Sequence, residues 1–180
     1  IMPFIINNKM DLESDQEYKD KLDIYRKIDI TIINCSAKYG DNISDLMKFL
    51  KNKSILFVGN SGAGKSSLSS RLTGKSLKTN NLSNNQGVHT TSLSSLYALE
   101  NNTKIIDSPG MRDIQINNYP KEQIIYGFEE ILNASKYCKF SDCNHINNEG
   151  CFVMKCLDNG QINQSRYNNF IKLRDDEKYK

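Results

Sequence analysis

The stretch "SILFVGNSGAGKSSLSSRLT" occupies residues 54–73, and its reading decides the fold. An apolar run, Ser54 to Gly59, is followed by Gly59-Asn60-Ser61-Gly62-Ala63-Gly64-Lys65-Ser66, which satisfies G-x-x-x-x-G-K-S, with Ser67 after it. Glycines are needed there because successive backbone N–H groups must curl around phosphate oxygens in conformations that a Cβ would block. Lys65 supplies a cation to the β and γ phosphates of a nucleotide, and the Ser66 hydroxyl suits Mg²⁺. The helix expected from about Lys65 to Thr73 points its positive end at the same phosphates. A strand before and a helix after is the context that this motif requires.

On either side, strands alternate with helices. "IMPFII" opens the chain as a short strand, helical spacing covers 14–28, "DITIINCS" (29–36) is β-branched, and 43–52 is a short amphipathic helix with Ile43, Leu46, Met47 and Leu50 on one face. Residues 76–92 read as a polar, mobile loop, and 94–100 with 103–108 as two strands joined by Asn101–Asn102. Helices are expected over 120–135, with Pro120 in the first turn, and over 161–180. The pattern predicts an α/β domain with a mostly parallel sheet over residues 1–112 and a small helical domain over 113–180.

A phosphate loop does not choose between ATP and GTP, but "NKMD" at residues 8–11 does. Guanine presents N1–H and the N2 amino group side by side, and one carboxylate, Asp11, can accept both. Adenine lacks that donor pair and would leave the carboxylate without partners. Asn8 would tie the loop together, the Lys9 stem would lie along the base, and Met10 fills the variable position. Ser36-Ala37-Lys38 follows the next strand and offers the Ala37 N–H to guanine O6. Asp107-Ser108-Pro109-Gly110 is a D-x-x-G in which Asp107 would hold Mg²⁺ through a water and the Gly110 N–H would sense the γ-phosphate. Thr90 or Thr91 in "GVHTTS" would complete the shell that Ser66 begins. The ligand expected is GTP, and GDP after hydrolysis.

Cys138, Cys143, His145 and Cys151 give C-x4-C-x-H-x5-C, a three-sulfur, one-nitrogen set suited to one tetrahedral structural Zn²⁺ with no open position. Cys156 is the decoy ligand, and Cys35 is expected to pack in its strand as a small apolar residue. Lys136, Lys139 and Lys155 surround the cluster and could face either solvent or RNA phosphates.

The five nucleotide elements stand in the order fourth, fifth, first, second, third relative to the usual GTPase order. That permutation, together with "CKFSDCNHINNEGC", resembles the RsgA family of small-ribosomal-subunit biogenesis GTPases, over nearly the whole chain. The resemblance implies a circularly permuted P-loop GTPase domain followed by a zinc domain, and GTP hydrolysis stimulated by the small ribosomal subunit late in its maturation. It implies contact with the subunit and its rRNA. Members carry an N-terminal OB-fold barrel, then a strand and helix before N-K-x-D. Here only seven residues precede Asn8, so the 180 residues are expected to be part of a longer protein.

Many GTPases place a Gln after D-x-x-G to orient the attacking water. Met111 stands there, so intrinsic hydrolysis is expected to be slow, and His89 is the internal candidate for positioning water. Gly62 stands where potassium-activated GTPases carry an Asn, so that mechanism is not expected. Net charge is +3, from 24 basic and 21 acidic residues, too mild to argue for nucleic acid by itself. No apolar run approaches the roughly 20 residues that span a bilayer, and clustered reduced cysteines fit a cytoplasmic monomer without membrane contact. Two other readings compete. A zinc-containing RNA-binding module with a vestigial nucleotide site is opposed by intact Lys65, Ser66 and Asp107. A metabolic ATP kinase is opposed by Asp11.

Overall fold

The computed structural model describes residues 2–74, 95–107 and 120–175. The chain divides into two compact units, Ile1–Ile114 and Gln115–Lys180.

The first unit begins with β1 (Ile5–Asn7), α1 (Gln16–Arg26), β2 (Ile32–Asn34), α2 (Ile43–Leu50), β3 (Ser54–Leu56) and α3 (Lys65–Thr73). A hairpin follows, β4 (Ser95–Ala98) and β5 (Lys104–Asp107). Asp15 starts α1 by accepting the Tyr18 N–H at 2.8 Å, satisfying a donor that the helix itself cannot. α2 buries Ile43, Leu46 and Leu50, the face that the 3.6-residue period predicts. α3 buries Leu68, Ser69 and Leu72 and stops at Gly74, whose φ of +66° suits a residue without a side chain.

The parallel pairing expected of an α/β unit is present, but the described strands form two sheets where the sequence pattern suggested one. β1 pairs in parallel with β2, setting Ile5 opposite Ile32 and Asn7 opposite Asn34. β3 pairs in parallel with β5 (Ile55 opposite Ile105), and β5 pairs antiparallel with β4 in the order β3-β5-β4. Between β1 and β3 lies a cleft of about 590 Å³ lined by Phe4, Ile6, Leu56, Val58 and Leu68, among others. The run from Ile55 through Val58, in β3 and just beyond it, is apolar throughout, yet it buries only alternate residues. Ile55 and Phe57 join Leu46, Leu50, Leu68, Leu72 and Ile105 in the core, whereas Leu56 and Val58 are exposed.

The hairpin turn falls at Asn101–Asn102 as expected, with Asn102 at a φ of +60° that asparagine tolerates. Thr103 just after it is fully buried and donates its hydroxyl to Leu50 O at 2.8 Å, fastening the hairpin to the end of α2.

The second unit differs more from its sequence reading. The helix expected over 120–135 is a 3₁₀ helix (Lys121–Gly127) followed by α4 (Glu129–Ser135), broken at Phe128, whose φ is −130°. The break turns Phe128 into the core, edge-on to Phe170 with ring centroids 5.5 Å apart. Arg166 stacks over Phe128 and pairs with Glu130 through two bonds, Nε to Oε1 at 2.7 Å and Nη2 to Oε2 at 3.2 Å. A helix that periodicity did not single out, α5 (Phe152–Asp158), follows the cysteine segment and buries Val153 and Cys156. α6 (Gln164–Asp175) closes the unit on Phe170, and residues 176–180 of the expected closing helix lie outside the described residues.

Candidate nucleotide and metal sites

The loops that follow β1, β2 and β3 meet at one side chain. Asn8, one residue beyond β1, donates Nδ2 to Ala63 O at 3.1 Å and accepts the Ala37 N–H on Oδ1 at 3.0 Å. The Cys35 thiol points at the same oxygen, 3.9 Å away. Lys9 extends from the same turn and donates Nζ to Gly62 O at 2.7 Å. "NKMD", "SAK" and the phosphate loop, up to 55 residues apart in sequence, are thus joined by direct bonds.

The phosphate loop has the backbone that its sequence asks for. Gly59, Gly62 and Gly64 have φ of +151°, +79° and +90°. At Gly64 the need is also steric, because a Cβ would stand 2.3 Å from Asn8 Nδ2. Ala63 N–H turns back to Asn60 O at 3.2 Å, and Lys65 Nζ donates to Gly59 O and Asn60 O. Lys65 and half-buried Ser66 open α3, so their chemistry lies at the positive end of that helix; Ser61 and Ser67 are exposed.

Asp11 is exposed, and its Oδ1 accepts the hydroxyl of fully buried Ser36 at 2.6 Å. That bond turns the carboxylate and leaves the other oxygen without a hydrogen-bond partner among the described residues. Ser36 Oγ also accepts the Tyr39 N–H at 3.2 Å, so one buried hydroxyl organises both base-reading loops. The Ala37 N–H, expected on guanine O6, is held by Asn8, and donation to a base requires that bond to be exchanged or shared. Met10 anchors the turn with its N–H on Cys35 O at 3.1 Å. Lys38 places Nζ 4.7 Å from the Tyr39 ring centroid. Sequence reasoning does not single out Arg71, whose guanidinium bonds the carbonyls of Ala37 and Lys38.

Asp107 ends β5, whose register sets Ile106 beside Leu56 of β3. The Asp107 side chain, Gly110, Met111, His89, Thr90 and Thr91 lie outside the described residues.

In the second unit, Cys138, Cys143, His145 and Cys151 bring one ligand atom each to within 4.8 Å of one another, a group that could hold a metal ion. His145 Nδ1 lies 3.7 Å from the sulfurs of both Cys138 and Cys151, and those sulfurs are 4.0 Å apart. Burial, helped by the Arg174 charge, pushes the His145 imidazole below its usual pKa, which favours the neutral ring that ligates metals. Burial pushes Cys151 up to about 11. At Cys138 burial pushes the same way, but the N–H donors of Val153 and Phe152, together with the neighbouring Cys143 and Cys151 thiols, outweigh it and leave the thiol below its ordinary value. Those donors, with Met154 N–H on Cys151 Sγ at 3.4 Å, come from the start of α5 and would share the charge of bound thiolates. His145 and Asn147 both have positive φ (+59° and +53°), and Tyr167 Oη and Arg174 hold the carbonyls of His145 and Asn144. Cys156 is outside the cluster and buried in the core, as is Cys35 in the first unit.

A family model described as RsgA GTPase matches residues 1–117. The small ribosomal subunit biogenesis GTPase RsgA of Haemophilus influenzae (strain PittEE) is 38% identical over 179 residues, covering 96% of this chain and 52% of that protein. The crystal structure of YjeQ from Thermotoga maritima is similar at a TM-score of 0.72 and 31% identity, covering 94% of this chain and 57% of that one. That of YloQ, described as a circularly permuted GTPase, is similar at a TM-score of 0.75 and 25% identity, covering 98% and 57%. The chain spans about half the length of the curated relatives it matches.

Two glycine substitutions separate the steric demand at the junction from backbone strain. Gly64→Ala adds a Cβ into Asn8 as well as about 1–2 kcal/mol of left-handed strain; Gly74→Ala has similar strain but nothing within 4 Å. Gly64→Ala is expected to weaken guanine-nucleotide binding by about 10-fold or more, and Gly74→Ala to lower only the melting temperature. Calorimetric titration with GDP, alongside thermal denaturation, checks both.

Proposed function

Because the chain belongs to the RsgA GTPase family, we propose that it forms the nucleotide-binding and metal-binding part of a protein that hydrolyses GTP to GDP and phosphate on the small ribosomal subunit, late in that subunit's maturation. The observation that carries this reading is the Asn8 junction, which builds one site from a base-reading turn and a phosphate loop that stand in reversed order along the chain.

In this site Asp11 reads guanine N1–H and N2, with Ser36, Ala37 and Lys38 closing on the base. The loop from Gly59 through Ser67 cradles the phosphates, and Lys65 neutralises them. Mg²⁺ arrives with the nucleotide and is held by Ser66, by Thr90 or Thr91, and through a water by Asp107. Gly110 senses the γ-phosphate and His89 positions the attacking water. With Met111 where a glutamine would orient that water, hydrolysis waits for a group supplied on the ribosome.

The metal proposed for Cys138, Cys143, His145 and Cys151 is one structural Zn²⁺, since three soft sulfurs and an imidazole suit it and leave no catalytic position. Lys136, Lys139 and Lys155 offer phosphate contacts to rRNA. Lys139 lies 5.2 Å from the ring centroid of exposed Phe140, and Lys155 lies 5.6 Å from that of Phe152, a mixture of cations and rings that suits backbone and unstacked bases together. No helix among the described residues is long and apolar enough to cross a membrane, and the proposed setting is the cytoplasm, as a monomer.

The test is GTP hydrolysis by the full-length protein with and without purified small ribosomal subunits. Strong stimulation, abolished in Lys65→Ala, is the expected result; a folded, GTP-binding protein that the subunit leaves unchanged would sink the ribosomal assignment. Base reading has its own check. Xanthine carries an acceptor oxygen where guanine has its N2 amino group, so Asp11→Asn should cost at least about 100-fold in GDP affinity and gain xanthosine diphosphate binding. For the metal, elemental analysis should find one zinc per chain, falling well below one in Cys143→Ser, with a lower melting temperature after chelation.

A further inference from the structure

Arg71 stands on the last turn of α3, the helix that starts at the phosphate loop. Its side chain leaves that helix and reaches the loop after β2, where Nε donates to Ala37 O at 3.0 Å and Nη2 donates to Lys38 O at 2.7 Å. Gly40 lies flat against the same guanidinium. A Cβ at Gly40 would meet Nη2 at 3.5 Å and Cζ at 3.6 Å, and its φ of +92° carries the loop around the group. The "AKYG" segment is therefore wrapped around one cation.

Two charge-assisted bonds from one rigid fork fix two successive peptide planes at once, which a single bond to a flexible amine does not. The planes held are those that follow Ala37 and Lys38, so the backbone torsions of Lys38 are set by a residue on another element. Otherwise the turn is held by Gly40 N–H on Ser36 O at 2.8 Å, Ser36 N–H on Asp41 O at 3.1 Å, the Ser36 hydroxyl, and the Ala37 N–H on Asn8 Oδ1 at 3.0 Å. The clamp is the only bond recorded among the described residues that ties the turn to the helix bearing Lys65 and Ser66.

We propose that Arg71 is a positioning residue for base recognition. It holds the Ser36–Lys38 loop at a fixed height over the phosphate loop, so that the Ala37 N–H and the Lys38 stem meet a guanine whose phosphates lie at the start of α3. This rests on the reading of Ser36–Lys38 as a guanine-reading loop. The phosphates themselves are bound at the other end of the helix and do not depend on Arg71. Its loss therefore weakens selectivity between bases and leaves phosphate affinity intact.

The experiment measures dissociation constants for GDP, ADP and pyrophosphate, by competition where binding is weak, for the full-length protein and for Arg71→Met and Arg71→Lys. Arg71→Met should lower the preference for GDP over ADP by about 10-fold or more, with pyrophosphate affinity unchanged. Arg71→Lys keeps the charge and can make one bond of the two, so it should recover part of the preference. An unchanged GDP-to-ADP ratio in Arg71→Met, or equal losses for GDP, ADP and pyrophosphate, overturns the proposal. Should Arg71→Met fail to fold, Arg71→Lys decides alone, and a wild-type ratio in it is likewise fatal. A wild-type protein that does not prefer GDP to ADP instead refutes the guanine reading on which the proposal stands.

Discussion

The three loops of the proposed nucleotide site meet at the carboxamide of Asn8. A carboxamide carries its donor and its acceptor on separate atoms, and here each is spent on a different loop: the donor on Ala63 O, the acceptor on the Ala37 N–H. Gly64 has no side chain because that amide occupies the space where a Cβ would stand. The loops after β1 and β2 follow one parallel pair, the loop after β3 comes from the other sheet, and the Asn8 bonds join all three whatever order the chain visits them in. Reordering along the sequence leaves every one of these contacts available, and that is the physical reason a permuted chain can keep a working site.

Legibility in the sequence followed the chemistry. Phosphate-loop glycines, a base-reading aspartate and a three-cysteine, one-histidine set are demands on residue type at short spacing, and the spacing is visible in one dimension. Positions decided by tertiary contact were not visible. The helical pattern over 120–135 is continuous, yet Phe128 leaves it because a ring at Phe170 and the Arg166 guanidinium offer better burial than one more helical turn. Cys156 in α5 looks like a spare ligand in a cysteine-rich stretch and serves as a core residue. Arg71 looks like a solvated helix cation until the loop after β2 is seen to wrap it. The division into two sheets was hidden for a similar reason, since pairing partners are not encoded in a strand's own apolar pattern.

The second unit shows what a small domain needs beyond apolar burial. Its core is a modest cluster around Ile131, Val153 and Phe170, in the size range below about 70–80 residues where staples are usual. One staple is the Glu130–Arg166 pair, in which both side chains are nearly buried and two bonds satisfy both groups. Losing either partner would strand a charge, at a cost of about 3–5 kcal/mol. The other is the ligand cluster. Its loop carries two non-glycine residues in left-handed conformations, a local cost that persists only where surrounding bonds hold it. Tyr167 and Arg174 supply bonds from α6, and the start of α5 supplies N–H donors, so the last two helices are both committed to the ligand loop.

Connectivity adds a final consequence. In the usual order, the segment after D-x-x-G returns to the sheet and its base-reading strands, so any shift in it is restrained at both ends. Here β1 and β2, which carry the turns proposed to read the base, come first, and β5, ending at Asp107, is the last strand among the described residues. The second unit begins at Gln115, within a few residues of Gly110. Under the proposed reading, the γ-phosphate acts on Gly110 and Mg²⁺ acts on Asp107, so nucleotide state is written at the covalent junction between the GTP-binding unit and the metal-binding one. Under that reading, permutation places the sensor in the stretch of chain that leads into the second unit.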